Sequence, residues 1–415
     1  MNVLADDCFL HDRDRLTHAE ALALISERLA CVAGTEHVGL AEAPGRVTAR
    51  GLTAPRPIPA RDNAAVDGYA YKWTAEETER GRAVVARTAA GDERATIGDE
   101  DAARIFTGAP MPAGADTVAM QEDCRRDGDR VHLPQLRRGA NRRLAGEDVR
   151  EGEAIVGIGR VLRPQDVAAV ASAGLPGLEV RQRLRVSLIS TGNELLQPGE
   201  AFVPGAVYDS NRPMLRTLLS RATVELRDLG HVRDDRVALE TALEAAAATS
   251  DMVVTSGGAS RGEEDHVLGA LDAVGTRHLW QLAVKPGRPM MMGQIGDCVV
   301  VGLPGNPVAA MVCALLYGRP IIDILAGARS REPRRYPLPA TFSLRSKPDR
   351  REFLRGSMIG SGANARAAKF DRDGSGLITG LRASDGLIEI PEDVTEIRDG
   401  DTVGFIPYSE WGIVG

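Results

Sequence analysis

No two of the five cysteines, Cys8, Cys31, Cys124, Cys298 and Cys313, form a Cys-x-x-Cys pair, which excludes zinc-ribbon and dithiol redox motifs. An odd, scattered set reads as reduced thiols of a cytosolic protein. The N-terminus, with Asp6, Asp7, His11, Asp12 and Asp14, lacks the basic start and apolar run of a secretion signal. No stretch reaches the uninterrupted apolar length of a membrane span, so the expectation is a soluble, cytoplasmic protein. A basic excess is missing too: 51 Lys and Arg against 58 Asp and Glu leave a net charge of −7, which argues against binding nucleic acid by broad phosphate neutralisation. Any anionic ligand then needs a local basic pocket. The seven histidines have no metal-ligand spacing, and no Ser-His-Asp or Cys-His set can be assembled from spacing. Without a Walker loop or a Gly-x-Gly-x-x-Gly fingerprint, P-loop hydrolysis and nicotinamide chemistry are disfavoured. Catalysis has to rest on carboxylates, cations and a metal ion.

What is present is an ordinary globular composition, 43% hydrophobic and 26% charged over 415 residues, long enough for two to four domains. Thr17-His18-Ala19-Glu20 has capping-box spacing ahead of Leu22, Ile25 and Leu29, which predicts a helix over 17–31. Pro55, Pro57 and Pro59 forbid regular helix and mark a boundary. Residues 60–147 mix short apolar runs, 83–86 and 117–120 among them, with glycine and proline breaks, the pattern of a small, mostly β domain. From Leu184 strands alternate with helices: strands over 185–190, 223–227, 252–255 and 299–301, helices over 213–221, 237–249 and 307–317. That alternation predicts parallel strands with helices on both faces, and ligands at their carboxyl ends. A proline-bearing linker over 329–339 leads to short alternating segments such as 387–390 and 403–406, read as a closing β domain. The fold class is therefore α/β plus β.

Four breaks in the α/β segment carry polar or glycine chemistry. Ser190-Thr191-Gly192-Asn193-Glu194 follows the first strand. Ser256-Gly257-Gly258 through Arg261-Gly262-Glu263-Glu264-Asp265 follows the third; its glycines let backbone amides approach an oxyanion, and its carboxylates suit a hard divalent cation bridging phosphate oxygens. A glycine turn with a solvated acidic edge is the plain alternative for this segment. Lys285-Pro286-Gly287-Arg288-Pro289 offers two cations across a rigid turn, and Gly302-Leu303-Pro304-Gly305-Asn306-Pro307 is a strand-to-helix turn with proline placed for helix position N1. Earlier in the chain, Asp62 and Asn63 near Asp67-Gly68 read locally as an Asx-type turn. The stretches about Thr107-Gly108 and Asn141-Arg142-Arg143 read locally as surface loops. His266 reads as a helix-start residue, not a base.

Taken in order, these motifs resemble the molybdopterin molybdenumtransferases of molybdenum cofactor biosynthesis, related to the C-terminal part of gephyrin. The matching pieces are Asp62-Asn63 through Asp67-Gly68-Tyr69-Ala70, Thr107-Gly108, Gly146-Glu147-Asp148, Ser190 to Glu194, Asp209-Ser210-Asn211, Asp234-Asp235, Ser256 to Asp265, Lys285 to Pro289, Gly302 to Pro307, Phe353-Leu354-Arg355-Gly356 and Gly374-Ser375-Gly376. The resemblance spans essentially the whole chain. It implies an elongated homodimer with four domains per protomer: residues 1–54 with 148–182, an inserted mostly-β domain over 55–147, a molybdopterin-binding-type α/β domain over 183–328, and a small β barrel over 329–415. It also implies a magnesium-dependent reaction in which adenylylated molybdopterin loses AMP and molybdate enters the dithiolene. On this resemblance Asp62, Thr107, Asp148, Glu194, Asp234 and Asp265 are catalytic, with Glu194, Asp234 and Asp265 as metal ligands. Ser190, Thr191, Gly192, Ser256, Gly257, Gly258, Pro304, Gly305, Asn306 and Pro307 line the substrate. Lys285, Pro286, Arg288, Arg355 and Ser375 suit molybdate or phosphate oxygens, and Arg143 with Thr107 faces the partner subunit's cleft.

Further partners implied are the adenylyltransferase that makes the substrate and the molybdoenzymes that accept the product. Two departures stand out. Gln281 occupies a position where the family often has a second lysine, and Arg261 lies where a small or apolar residue is usual, so Arg261 is a candidate for the missing charge. Two other readings remain at this point: an adenylyltransferase, and a gephyrin-like dimeric scaffold without insertase activity. Molybdate and tungstate are nearly isosteric, so the sequence leaves the metal open.

Overall fold

The computed structural model describes residues 15–75, 80–257 and 266–413. The first helix, His18–Arg28, is capped as its sequence requires: Glu20 N–H donates to Thr17 Oγ1 at 3.3 Å and Thr17 N–H to Glu20 Oε2 at 2.8 Å. It stops at Arg28, short of residue 31, because Leu29 turns extended at φ −96° and ψ 142°, and beyond it the N–H groups of Val32 and Ala33 bond the Leu325 carbonyl at 3.0 and 3.2 Å. Residues flanking the inserted region fold together: Thr35–Gly39 pairs antiparallel with Gly177–Arg181, and Leu52–Thr53 with Ala154–Val156. They share a core that includes Val38, Leu162, Val170 and Val180. The first helix does not join it; Ala21, Ile25 and Leu29 pack into the α/β core with Leu184, Leu215 and Phe353.

The inserted region is a six-stranded sheet in the order Thr117–Met120, Gly68–Tyr71, Asp101–Ile105, Arg82–Thr88, Arg130–His132 and Arg125–Asp127. All its neighbours are antiparallel except Arg82–Thr88 with Asp101–Ile105.

The α/β sheet has the order Val224–Val232, Leu184–Thr191, Met252–Ser256, Cys298–Leu303, Pro289–Ile295 and Thr276–Gln281. Its first four strands are parallel, as alternation predicts, and the central ones are buried along almost their whole length, as strands covered on both faces must be. The last two, which the alternation did not include, form an antiparallel edge, because Pro289–Ile295 runs antiparallel to both neighbours. The cause is local: Ile295 pairs with Cys298 across Gly296-Asp297, with Gly296 at φ +57°, a two-residue hairpin signal present in the sequence. Helices cover both faces, Asn211–Leu219 and Pro307–Cys313 on one core, Arg236–Ala247 and His266–Val274 on the other. The helical run Pro307–Leu325, 19 residues, is long and apolar enough to cross a membrane, which corrects the expectation that no stretch is. With 78% of it buried inside the fold, its apolarity is that of a core helix.

In the C-terminal region Arg351–Ile359, Gly386–Ile390, Thr402–Pro407 and Tyr336–Pro339 pair antiparallel in that order, with Arg366–Lys369 on the other side of Arg351–Ile359. A bridge between Ala340 and Ala367 brings the ends of this sheet back together. Val284–Lys285 adds to it in parallel with Arg351 and Glu352, so the Lys-Pro-Gly turn ties the α/β sheet to the C-terminal one.

His18 sits where three elements meet, 3% exposed, with Nδ1 2.9 Å from the Tyr317 hydroxyl and its ring edge-on to Phe353. Burial, reinforced by the nearby Arg351 charge, lowers its pKa from 6.5 to about 4, with Glu389 and Glu392 opposing and Arg335 assisting. The folded protein therefore holds His18 neutral while the unfolded chain protonates it below about pH 6.5. Stability on the order of 3 kcal/mol should be lost from this group as pH falls through that window to about 4. Comparing thermal unfolding of wild type and His18→Gln at about pH 7 and 4.5 checks this. Equal acid losses in the two proteins would exclude the effect.

Candidate active site

The carboxyl ends of the parallel strands converge on a polar surface. Leu184–Thr191 ends at Gly192, whose carbonyl lies 2.8 Å from His231 Nε2. The next residue, Asn193, clamps the neighbouring loop in both directions: its Nδ2 donates to the Asp234 carbonyl at 3.4 Å and its Oδ1 accepts from Asp234 N–H at 3.2 Å. That exchange seats the exposed Glu194 loop beside Asp234. Asp234 Oδ1 in turn accepts from the N–H of His266 at 3.4 Å, the first residue of helix His266–Val274, as expected of a helix start. Gly258, Arg261 and Asp265 lie outside the described residues.

Met252–Ser256 ends at Gly257, which has φ +92° and donates its N–H to the Leu303 carbonyl at 3.1 Å. It is wedged against the next strand, since a Cβ here would stand 2.5 Å from the Thr191 carbonyl oxygen. Around this junction Ser190 Oγ, Thr191 Oγ1 and Thr255 Oγ1 are buried with no hydrogen-bond partner among the described residues. An unpaired buried hydroxyl costs about 1–3 kcal/mol, so three of them at adjoining strand ends, Thr191 and Thr255 on one face of the sheet and Ser190 on the other, call for an explanation. Asn211 Nδ2 donates to the Gly305 carbonyl at 2.7 Å and holds the 304–306 turn in place, with Pro307 opening the following helix.

The same turn forms one wall of a cavity of about 450 Å³ between the α/β and C-terminal regions. Its lining includes Lys285, Pro286, Arg288, Pro304, Asn306, Arg355 and Ser375, and also Arg15, Arg350 and Lys369; Asp373 is the acidic residue among the described lining. The cations are held differently. Lys285 Nζ and Arg350 Nη2 share the buried Glu352, at 3.0 and 2.7 Å. Burial alone would raise that carboxyl, but the hydrogen bonds and charges of Lys285 and Arg350 bring it below its usual range. Arg355, 8% exposed, donates to the carbonyls of Leu377 and Arg372 at 3.1 and 2.9 Å and stacks over Phe370. Its partners are neutral and burial lowers its pKa. Arg288 also has a neutral partner, donating weakly to Gln281 Oε1 at 3.3 and 3.4 Å. Gln281 therefore orients a cation instead of supplying one. The Ser375 carbonyl accepts from Val308 N–H at 3.0 Å, which docks the C-terminal loop against the strand-to-helix turn.

Three family models match the chain in order. They are the MoeA N-terminal region (domain I and II) over residues 16–174, a probable molybdopterin binding domain over 187–323, and the MoeA C-terminal region (domain IV) over 337–408. The molybdopterin molybdenumtransferase of Haemophilus influenzae is 32% identical over 95% of this chain and 99% of its own. The chain belongs to the molybdopterin molybdenumtransferase family. Molybdopterin molybdenumtransferase 2 of Mycobacterium tuberculosis is likewise 32% identical, over 88% of this chain and 92% of its own. The solved molybdopterin biosynthesis moeA protein of Pyrococcus horikoshii superposes with a TM-score of 0.80 at 29% identity, covering 95% of this chain and all of that one.

Of the residues singled out in the sequence, this molybdenumtransferase-family fold gathers Ser190, Thr191, Gly192, Ser256, Gly257, Pro304, Gly305, Asn306, Glu194 and Asp234 at one sheet edge. Lys285, Arg288, Arg355 and Ser375 join the cavity beside it. The bonds of the inserted-region residues stay within that region and its borders. Asp62 Oδ1 accepts from Ala145 N–H at 2.8 Å, Thr107 donates both N–H and hydroxyl to Asp67 Oδ1, Arg143 pairs with Asn63, and Asp148 N–H bonds Ile58. Asp62 and Asp67 thus reach across 83 and 40 residues, which corrects the local Asx-turn reading. Spacing did not reveal Arg350, Lys369 or Glu352: Glu352 meets Lys285 only through pairing of strands 67 residues apart, and Arg350 and Lys369 count because the fold places them on the cavity wall.

Proposed function

We propose that the chain catalyses the insertion step of molybdenum cofactor synthesis: adenylylated molybdopterin binds along the strand ends, its link to AMP is hydrolysed, and molybdate enters the dithiolene. The observation that carries this reading is the shared 303–307 turn, with unpaired buried hydroxyls on one side and a cation-lined cavity on the other. The hydroxyls and glycine amides suit phosphate and pterin oxygens, and the cavity suits a tetrahedral dianion in a protein that is acidic overall. Names of relatives do not favour the adenylyltransferase or scaffold readings.

Magnesium fits the donor chemistry. Among the described residues no group of three His, Cys, Asp or Glu side chains is placed to hold a metal, and Mg²⁺ typically takes one or two carboxylates with phosphate oxygens and water completing its shell. Glu194 and Asp234, with Asp265, are the residues that would hold it; bound there it neutralises phosphate charge and activates water. We extend the proposal to the assembly: an elongated, cytoplasmic homodimer of four-domain protomers with a C-terminal β barrel. Asp62, Thr107, Arg143 and Asp148 of one protomer would then face the other's cleft, and the adenylyltransferase and molybdoenzyme acceptors would dock to deliver substrate and take product.

The test is AMP release from adenylylated molybdopterin by purified protein with magnesium, comparing molybdate, tungstate and no oxyanion. Release that depends on the oxyanion is expected. No release from a folded protein under any of these conditions would sink the reading.

A further inference from the structure

The cavity's cations differ in how freely they can turn to a ligand. Lys285 and Arg350 share the single carboxylate of Glu352, whose side chain is 1% exposed, so one buried negative charge holds both in place and offsets part of their combined charge. Arg288 and Arg355 face neutral oxygens and keep their charge. Lys369 is a third kind. Its side chain is 16% exposed and lines the cavity, while its partner Asp373, at 2.9 Å, is 75% exposed. An exposed ion pair contributes little stability, and Asp373 is free to turn into water when something better occupies Lys369.

We propose that Lys369 is an oxyanion ligand of this cavity, held by Asp373 until a tetrahedral dianion displaces that carboxylate. Lys369 then joins Arg288 and Arg355 as a cation not bound to a buried acid, while Gln281 serves only to aim Arg288. Asp373 acts as a built-in competitor: it neutralises the lysine in the empty cavity and disfavours monoanions, which repay less of the broken pair than a dianion does. The inference rests on the reading that this cavity takes molybdate.

The experiment is calorimetric titration of the full-length protein with molybdate and with perrhenate, a tetrahedral monoanion of similar size. Lys369→Gln should weaken molybdate binding about tenfold or more and perrhenate binding less. Lys369→Arg should restore most of the affinity, and Asp373→Asn should bind both anions at least as tightly as wild type, with the larger gain for perrhenate. Molybdate binding by Lys369→Gln within about twofold of wild type, equal losses for both anions, or weakened binding by Asp373→Asn would overturn the proposal. If wild type binds neither anion, the assignment of the cavity falls first and Lys369 with it.

Discussion

Replacing Glu352 with alanine is expected to lower the stability of the folded protein by about 3 kcal/mol, the cost typical of breaking a buried ion pair from one side. The carboxylate is buried and takes hydrogen bonds from Lys285, Arg350 and the Ser346 hydroxyl. Its removal leaves two cations at the seam between the α/β and C-terminal sheets without their counter-charge. Glu352→Gln, which keeps acceptors but not charge, should fall between. The pH dependence has a definite sign: a carboxyl held below its unfolded value stabilises above that value and loses its contribution as pH falls through the folded one. The deficit of Glu352→Ala relative to wild type should therefore shrink in acid. Thermal midpoints of the three proteins across a pH series measure this, and a constant deficit would mean the loss comes from packing alone.

Gly257→Ala is expected to reduce the rate of AMP release about 100-fold, the scale on which misplacing reacting groups by about 1 Å acts. A methyl group at φ +92° is strained, and it would also press on the Thr191 carbonyl at 2.5 Å. The strand ends carrying Ser190 and Thr191 must then separate from Ser256, which displaces the unpaired hydroxyls at these strand ends. Global stability should fall by only about 1–3 kcal/mol. Gly269→Ala is the control, because a Cβ there meets nothing within 4 Å and alanine favours the helix. Activity of Gly257→Ala within a few-fold of wild type, in protein as folded as the control, would reduce Gly257 to an ordinary turn.

Both predictions lie where sequence reading and structure part. The parallel strands were legible because a strand covered on both faces carries apolar runs where it crosses the core, such as Met252-Val253-Val254 and Val299-Val300-Val301, and these strands are buried almost throughout. The glycine breaks at Gly192, Gly257 and Gly305 marked the edge proposed to take the ligand, and at Gly257 the backbone approaches the neighbouring strand as only a residue without a side chain can. The first helix was legible from Thr17 and Glu20, whose reciprocal bonds are a three-residue affair. Its end was not, because Leu29 turns extended and the chain just beyond it is tied at Val32 and Ala33 to Leu325, a partner far along the sequence.

The sequence by itself determined the class of fold, the family, the strand ends that carry the site and the two arginines that face it, because each of these is written in local periodicity or in contiguous motifs. Only the tertiary structure decided how charge is shared among them: that a buried Glu352 is shared by Lys285 and Arg350, that Gln281 aims Arg288, and that Lys369 lies against an exposed acid. Lys285 meets Glu352 through pairing of strands 67 residues apart, whereas Arg350–Glu352, Gln281–Arg288 and Lys369–Asp373 are near neighbours in sequence; for these the fold decided burial and exposure, on which electrostatic energy depends and which spacing along the chain does not encode.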